Sequence, residues 1–270
     1  MTGLLRYARC EDVSLSQNKA HSFAAHYALV HYRSGTVYSF IPKNACSTLR
    51  DSMARANNCL AGPEDWTWIH LNNGTFSATL PDLVRAPFSF VVLRCPHARL
   101  ASVFLDKIVD KTPELWQLYR LTRDGFAPDD LTFRTFVALL DENDLMQANI
   151  HWRPQQDFLV YENYSRVFAL ERFRDAIPVL RDEAGFEVYD ARSLTGHGTD
   201  RVELIQEGSF ADMPLAELGA LKRDGRLPAH AQLYDDALSA QVAQLYAADM
   251  ALYATHLDPQ MLTFPEFLKT

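Results

Sequence analysis

Two apolar runs, each followed by a loop and a helical pattern, constrain the fold of this chain most strongly. The first run is Thr36 to Pro42 (TVYSFIP), and the second is residues 88–93 (FSFVVL). Both have the short, apolar character of strands that are buried on both faces. Two strand–loop–helix units that begin about fifty residues apart predict an α/β fold, with a parallel central sheet and crossover helices.

Apolar residues at helical spacing follow each of these runs. Thr48 and Asp51 have the spacing of a capping box, which predicts that the first helix begins at Thr48. Further along the chain, we predict helices over 131–140 and 173–184. Short strands are expected at 158–161 and 167–170, and one helical stripe covers 238–253.

The length and composition favour one domain. The chain has 270 residues, of which 48% are hydrophobic, and this is enough to fill a sizeable core. It contains no internal repeat and no Gly/Ser linker that would mark a boundary. We therefore predict a single P-loop-like, three-layer α/β/α domain over 1–270, with 1–35 peripheral and 185–230 forming a loop or lid region.

The formal charge excludes one class of partner. With 26 Lys plus Arg against 34 Asp plus Glu, the net charge is -8. A protein that tracks nucleic-acid phosphates needs basic residues spread along its surface, so we expect no nucleic-acid partner. There is no signal-peptide pattern and no apolar run long enough for a membrane span. The four cysteines lack metal-ligand spacing and are expected to be reduced thiols, which predicts a cytoplasmic protein.

The first loop, Pro42-Lys43-Asn44-Ala45-Cys46-Ser47-Thr48, has the features of a phosphate cradle. Its small side chains let backbone N–H groups approach an anion, and the following helix N-terminus and Lys43 add positive charge. It is not a Walker A loop, because GxxxxGK[ST] is absent and the Lys precedes the small residues. The alternative interpretation is an ordinary strand-to-helix turn with a solvated Lys.

The second loop supports the first interpretation. Arg94 ends the second apolar run, and Ser102 follows in the segment RCPHARLAS. An Arg at a strand end and a Ser on the next helix are suited to hold another phosphate by charge and by hydrogen bonding. Both loops are expected at the carboxyl ends of parallel strands, so together they predict a ligand with two separate anionic groups.

These segments resemble a known family. PKNACST (42–48) and RCPHARLASVFLDK (94–107) are similar to the two cofactor signatures of sulfotransferases that use 3'-phosphoadenosine 5'-phosphosulfate (PAPS). The resemblance is to the carbohydrate sulfotransferase branch, whose members also contain segments similar to HWRPQ (151–155). Cys95 stands where that family usually has Asp or Asn. The absence of an N-terminal anchor, which Golgi members carry, points to a bacterial or otherwise cytosolic enzyme.

The resemblance implies a role for each matched residue. Lys43 would contact the bridging and sulfuryl oxygens of PAPS, and the loop from Pro42 to Thr48 would hold the 5'-phosphosulfate. Arg94 and Ser102 would bind the 3'-phosphate. Thr199 and Arg201 would reach the cofactor from the 185–230 loop region. Sulfuryl transfer needs no metal, and the sequence contains no carboxylate cluster that would bind one.

The reaction also needs a general base to take the proton of the acceptor hydroxyl. Histidine suits this role because its pKa lies near neutrality. Heparan-type members, which this chain resembles, place a catalytic His upstream of their Arg-containing motif. His70, which lies 24 residues before Arg94, is therefore the first candidate, and His151 in HWRPQ is the second. Some sulfotransferases use a Glu as the base, and in a protein that resembles them Glu64 or Asp65 would take this role.

We therefore predict sulfuryl transfer from PAPS to a hydroxyl of a saccharide, glycolipid or other small acceptor. The alternatives are an atypical P-loop kinase or NTPase and a non-catalytic nucleotide-binding protein. Residues 37–111 carry eight basic and six acidic residues, so the rest of the chain has a net charge of -10. This acidic remainder disfavours a long sulfated glycan as acceptor. The sequence leaves the acceptor's identity and the oligomeric state open.

Overall fold

The computed structural model describes residues 3–9, 12–191 and 202–268. Its main sheet has four strands in the order β1–β2–β3–β4. They are β1 (Ala28–His31), β2 (Thr36–Ser39), β3 (Ser89–Leu93) and β4 (Arg166–Ala169). β2, β3 and β4 run parallel, whereas β1 pairs with β2 in the antiparallel direction. The predicted α/β class and the parallel pairing are confirmed, and the antiparallel edge strand makes the sheet mixed.

Helices connect and flank these strands. In chain order they are α1 (Lys19–His26), α2 (Cys46–Ala56), α3 (Trp68–Leu71), α4 (Leu80–Arg85), α5 (Pro96–Val103), α6 (Pro113–Leu121), α7 (Phe133–Glu142), α8 (Phe173–Ala184), α9 (Leu215–Arg223), α10 (Asp236–Leu245) and α11 (Ala247–His256). A second, two-stranded parallel sheet is formed by β5 (Glu203–Ile205) and β6 (Arg226–Pro228). The 185–230 region, which was predicted as a loop or lid, therefore contains regular structure where it is described.

The described residues form two units. The first contains the chain up to Arg94 together with residues 155–191, and the second contains residues 95–154 and 202–268. The four-stranded sheet lies wholly within the first unit. The organisation of residues 1–270 as one domain stays a prediction.

In the first unit, alternate strand residues face opposite sides of the sheet, as pleated strands require. Tyr38 and Phe90 belong to one face, where their rings stack with centroids 4.9 Å apart. This face packs against α2 and α8, and the opposite face, with Val30 and Val37, packs against α1 and α4. The predicted three-layer α/β/α arrangement is therefore present within this unit.

The second unit holds the HWRPQ segment up to Pro154 in a fixed conformation. Trp152 is fully buried, and its indole N–H donates to the carbonyl of Leu145 at 2.9 Å. The buried guanidinium of Arg99 donates to the carbonyls of Arg153 (2.8 Å) and Ile150 (3.3 Å). The hydroxyl of Tyr246 donates to the carbonyl of Trp152. Side chains thus satisfy the backbone acceptors of a segment that lies outside regular structure.

Three predictions about individual elements are wrong. α2 begins at Cys46 rather than at Thr48, so no capping box forms there, and Asp51 instead pairs with Arg55 at 2.7 Å. The predicted strand at 158–161 is replaced by a 3₁₀ turn, followed by one isolated bridge between Leu5 and Tyr161. The stripe over 238–253 is two helices, because the backbone leaves the helical region at Tyr246 (φ -107°, ψ 29°).

Among the residues that the structure describes, no helix has the length and apolar character needed to span a membrane.

The contact between Tyr246 and Trp152 gives a test of the fold. We expect Tyr246→Phe to lower the free energy of unfolding by about 1 kcal/mol, because it leaves a buried carbonyl without its donor. The measurement is urea denaturation followed by far-UV circular dichroism. Tyr32→Phe is the control, since Tyr32 is 58% exposed and its change should leave the midpoint unaltered. Equal midpoints for wild type and Tyr246→Phe would contradict the assigned bond.

Candidate functional site

The first predicted loop makes a tight turn between β2 and α2. Two of its residues have backbone conformations in the left-handed region, Lys43 with φ 72° and Ala45 with φ 56°. This conformation costs a residue with a side chain about 1–2 kcal/mol relative to the right-handed region. Unfavourable conformations of this kind concentrate at binding sites, where surrounding contacts hold them in place. The turn therefore agrees with the sequence-based interpretation of a binding loop.

The N-terminus of α2 has the properties of an anion site. Its N-cap residue, Ala45, has no side-chain group to accept a hydrogen bond, and its first turn contains no acidic residue. The first turn consists of Cys46, Ser47 and Thr48, whose N–H groups point along the axis without an intrahelical acceptor. The helix dipole adds a partial positive charge at the same end.

A buried amide joins this loop to the second one. Gln155 is 1% exposed, and its Oε1 accepts hydrogen bonds from Asn44 Nδ2 at 2.6 Å and from the backbone N–H of Arg94 at 3.0 Å. Its Nε2 donates to the carbonyl of Arg94 at 2.9 Å. One side chain thus fixes the Asn44 amide and both backbone groups of Arg94.

Two direct contacts reinforce this bridge. Asn44 Nδ2 also donates to the carbonyl of Val92 at 2.8 Å, and Arg94 Nη1 donates to the carbonyl of Lys43 at 3.0 Å. The structure therefore brings together Lys43 and Asn44 of the first loop and Arg94 of the second, at the carboxyl ends of parallel strands where the sequence analysis expected both loops. The sequence analysis quoted Gln155 as the last residue of HWRPQ but gave it no role. Its position in that motif was the one feature of the sequence that could have indicated a functional role.

These groups fit a ligand with two anionic groups. The loop supplies uncapped N–H groups, hydroxyls and the Lys43 ammonium, and the strand end supplies the Arg94 guanidinium. No acidic residue occurs between Pro42 and Thr48 to compete for these donors. In the part of the chain that the structure describes, no group of three His, Cys, Asp or Glu side chains could hold a metal ion.

The first candidate base, His70, lies in the first unit. It is an exposed residue of the short helix α3, and its ring lies edge-on to the ring of Trp66 with centroids 5.1 Å apart. Glu64 and Asp65 are exposed in a 3₁₀ turn that ends just before Trp66.

The second candidate base, His151, lies in the second unit beside an acid. Its Nδ1 is 3.0 Å from Asn149 Oδ1 and 3.3 Å from Glu114 Oε1. Burial alone would raise the pKa of the Glu114 carboxyl, but a hydrogen bond from the Thr112 hydroxyl and the charge of His151 hold this pKa below its usual value. A carboxylate that orients an imidazole is the usual support of a catalytic base. The sequence analysis did not identify Glu114.

The remaining residues of the predicted donor site lie in the second unit or outside the described residues. Ser102 is half-buried on α5, in the second unit. Cys95, which replaces the usual Asp or Asn, is buried, and its Sγ accepts the N–H of Thr263 at 3.3 Å. Thr199 and Arg201 lie outside the described residues.

Comparison with known proteins identifies relatives. Over 145 residues the chain is 32% identical to carbohydrate sulfotransferase 14 of Homo sapiens, a match that covers 47% of this chain and 37% of that protein. It is 29% identical over 136 residues to carbohydrate sulfotransferase 14 of Danio rerio, covering 44% and 36%. The matches thus span little more than a third of these relatives. No solved structure matches the chain.

A family model gives the broader assignment. The model described as the sulfotransferase family matches residues 26–254, which include both loops and the HWRPQ segment. This match confirms the predicted resemblance to the sulfotransferase family. Since it covers well over half of the sequence, the chain belongs to the sulfotransferase family.

Proposed function

We propose that this protein transfers a sulfuryl group from PAPS to a hydroxyl of a saccharide, glycolipid or other small acceptor. The observation that carries the proposal is the Gln155 amide, which joins the Lys43 loop to Arg94. The backbone positions of two basic residues are thereby held at one edge of the sheet, where their side chains can serve a donor with two anionic ends. Membership of the sulfotransferase family and the similarity to carbohydrate sulfotransferases support both donor and acceptor class.

In this proposal the first loop binds the reacting end of the donor. PAPS, when bound, supplies a sulfuryl group attached to a phosphate leaving group. The N–H groups from Asn44 to Thr48 and the hydroxyls of Ser47 and Thr48 hold the 5'-phosphosulfate. Lys43 neutralises the negative charge that develops as the sulfur–oxygen bond breaks, which is the main way a protein accelerates such transfers.

Arg94 holds the 3'-phosphate in the same proposal, together with Ser102. Thr199 and Arg201 complete the donor site. A histidine takes the proton of the acceptor hydroxyl as its oxygen bonds to sulfur. The contact with Glu114 supports His151 as this base, and His70, Glu64 and Asp65 are the alternatives.

Donor binding is the first test. We expect adenosine 3',5'-bisphosphate to bind the wild-type protein in isothermal titration calorimetry. Lys43→Ala and Arg94→Ala should each weaken binding by about ten- to a hundredfold, because each removes a charge-assisted contact. Arg85→Ala, on an exposed residue of α4, is the control and should bind normally.

Two results would contradict the donor assignment. One is the absence of bisphosphate binding by the wild type, and the other is unchanged binding after Arg94→Ala. Magnesium-dependent binding of ATP in place of the bisphosphate would favour the kinase or NTPase alternative.

The Gln155 bridge gives a second test. We expect Gln155→Leu to weaken bisphosphate binding by about tenfold, because the Asn44 amide and the backbone of Arg94 lose their shared partner. Gln244→Leu is the matched control, since Gln244 is exposed on α10. If Gln155→Leu folds normally and binds the bisphosphate with wild-type affinity, the bridge has no role in donor binding.

The base assignment gives a third test. We expect Glu114→Gln to lower the pKa of His151 in an NMR titration, because a neighbouring carboxylate stabilises the charged imidazole. On a confirmed acceptor, His151→Asn should reduce turnover by about a hundredfold, and His70→Asn should have little effect. The opposite ranking of the two histidine variants would make His70 the base.

A further inference from the structure

A chain of side-chain amides, which the proposed function does not use, ends at His151. Asn149 Oδ1 accepts the backbone N–H of His151 at 2.8 Å and lies 3.0 Å from Nδ1 of the same residue. Asn149 Nδ2 donates to Gln117 Oε1 at 2.6 Å, and Gln117 Nε2 donates to the carbonyl of Ala148 at 2.9 Å. All four residues belong to the second unit, with Gln117 on α6.

Backbone groups with a single possible role fix both ends of this chain. A carbonyl can only accept a hydrogen bond, so the Ala148 carbonyl requires the amino group of Gln117 and turns the Gln117 oxygen towards Asn149. A backbone N–H can only donate, so His151 requires the oxygen of Asn149 and leaves the Asn149 amino group for Gln117. The two assignments start from opposite ends and agree. The hydrogen-bond network therefore determines the orientation of both amides.

The ring nitrogen Nδ1 of His151 faces two oxygen atoms, Asn149 Oδ1 at 3.0 Å and Glu114 Oε1 at 3.3 Å. Burial alone would raise the pKa of the Glu114 carboxyl, but the hydrogen bond from Thr112 and the charge of His151 hold this pKa below its usual value. The carboxyl is therefore ionised at neutral pH, and an ionised carboxylate, like an amide oxygen, only accepts hydrogen bonds. With acceptors as its two neighbours, Nδ1 carries a proton.

A proton on Nδ1 decides the chemistry of the other ring nitrogen. A neutral imidazole carries one proton, so the Nδ1–H tautomer has its basic lone pair on Nε2. When Nε2 takes up a proton, the Nδ1–H group keeps its two acceptors, and the Glu114 carboxylate stabilises the new positive charge. The arrangement therefore favours a base that acts through Nε2.

One face of α6 supplies both groups that control this ring. Glu114 and Gln117 are three residues apart, so their side chains project from the same side of the helix. Glu114 contacts the imidazole directly, whereas Gln117 acts through Asn149. The backbone of Asn149 is held as well, because its carbonyl accepts the N–H of Arg153 at 2.9 Å. Asn149 is thus fixed through both its backbone and its side chain.

We propose that Asn149, oriented by Gln117, is a positioning residue that holds His151 as the Nδ1–H tautomer, so that Nε2 is the atom that takes the proton of the acceptor hydroxyl. In the transfer step the acceptor oxygen bonds to sulfur, the bond between sulfur and the phosphate oxygen breaks with its electron pair on the departing bisphosphate, and Nε2 takes the hydroxyl proton. This inference rests on the proposed function for calling His151 the base. The tautomer itself rests on contacts within the second unit alone.

The tautomer is measured first, without any ligand. Long-range ¹H–¹⁵N correlation spectra of the ¹⁵N-labelled full-length protein give the ring resonances of His151, which are assigned with His151→Asn. The spectra are recorded above the pH range in which this imidazole titrates. We expect Nδ1 to have the chemical shift of a protonated ring nitrogen and Nε2 that of an unprotonated one. A protonated Nε2, or averaged shifts for the two nitrogens, overturns the proposal.

Variants locate the cause of the tautomer. Asn149→Leu removes the nearer acceptor, so the two nitrogen shifts should move towards each other as the second tautomer becomes populated. Asn149→Asp keeps an oxygen opposite Nδ1 and should retain the wild-type tautomer. Asn143→Leu is the matched control, since Asn143 is exposed and its amide donates to the carbonyl of Leu139. Wild-type shifts in a folded Asn149→Leu would assign the tautomer to Glu114 alone and overturn the proposal.

Turnover connects the tautomer with the reaction. On a confirmed acceptor, Asn149→Leu should lower kcat by about tenfold with little change in KM, and Asn149→Asp should keep most of the activity. If Asn149→Leu does not fold, Gln117→Leu takes its place in both measurements, because it removes the group that orients the amide. Wild-type kcat in a variant with mixed tautomers overturns the positioning role. Absence of sulfuryl transfer by the wild type contradicts the proposed function, while the NMR spectra still decide the tautomer.

Discussion

The parallel pairing of β2 with β3 is the constraint on which the candidate site depends. Val37 pairs with Ser89 and Ser39 with Val91, so both strands deliver the following chain to the same edge of the sheet. A shift of one residue in this register would turn Tyr38 to the opposite face and break its stacking with Phe90. The burial of that aromatic pair therefore also fixes the relative position of the two loops.

Side-chain amides then convert this proximity into a defined geometry. The pairing between β2 and β3 ends at Ser39, so hydrogen bonds of the sheet do not hold the backbone of the loop that follows. Side-chain hydrogen bonds take over this role. Asn44 donates to the carbonyl of Val92 and to Gln155, and Gln155 bonds to the backbone of Arg94. Because the amides are neutral, they link the loops without reducing the positive charge that an anionic donor needs. A carboxylate in either position would compete with the ligand for Lys43 and Arg94.

The sequence predicted those parts of the fold that depend on local patterns. Apolar runs located β2, β3 and most of β4, and helical spacing located α8 over its full length. It did not predict β1 as an antiparallel edge strand, and it placed the start of α2 two residues late, because the N-cap conformation of Ala45 leaves no side-chain signature. Gln155 and Glu114 were missed as site residues, since their roles depend on contacts with distant parts of the chain: Gln155 is 111 residues from Asn44 and 61 from Arg94.

The left-handed conformations of Lys43 and Ala45 have a consequence for affinity. Glycine would adopt the same angles without steric cost, but a loop of glycines would sample many conformations before an anion arrived. Ordering one residue costs about 1–2 kcal/mol of conformational entropy, and in this loop that entropy is lost during folding. The hydrogen bonds of Asn44 and Gln155 tie this loop to the second strand without any ligand. If the loop holds the donor as proposed, the anion would meet a preorganised backbone, and its binding free energy would not be diminished by the ordering of the loop.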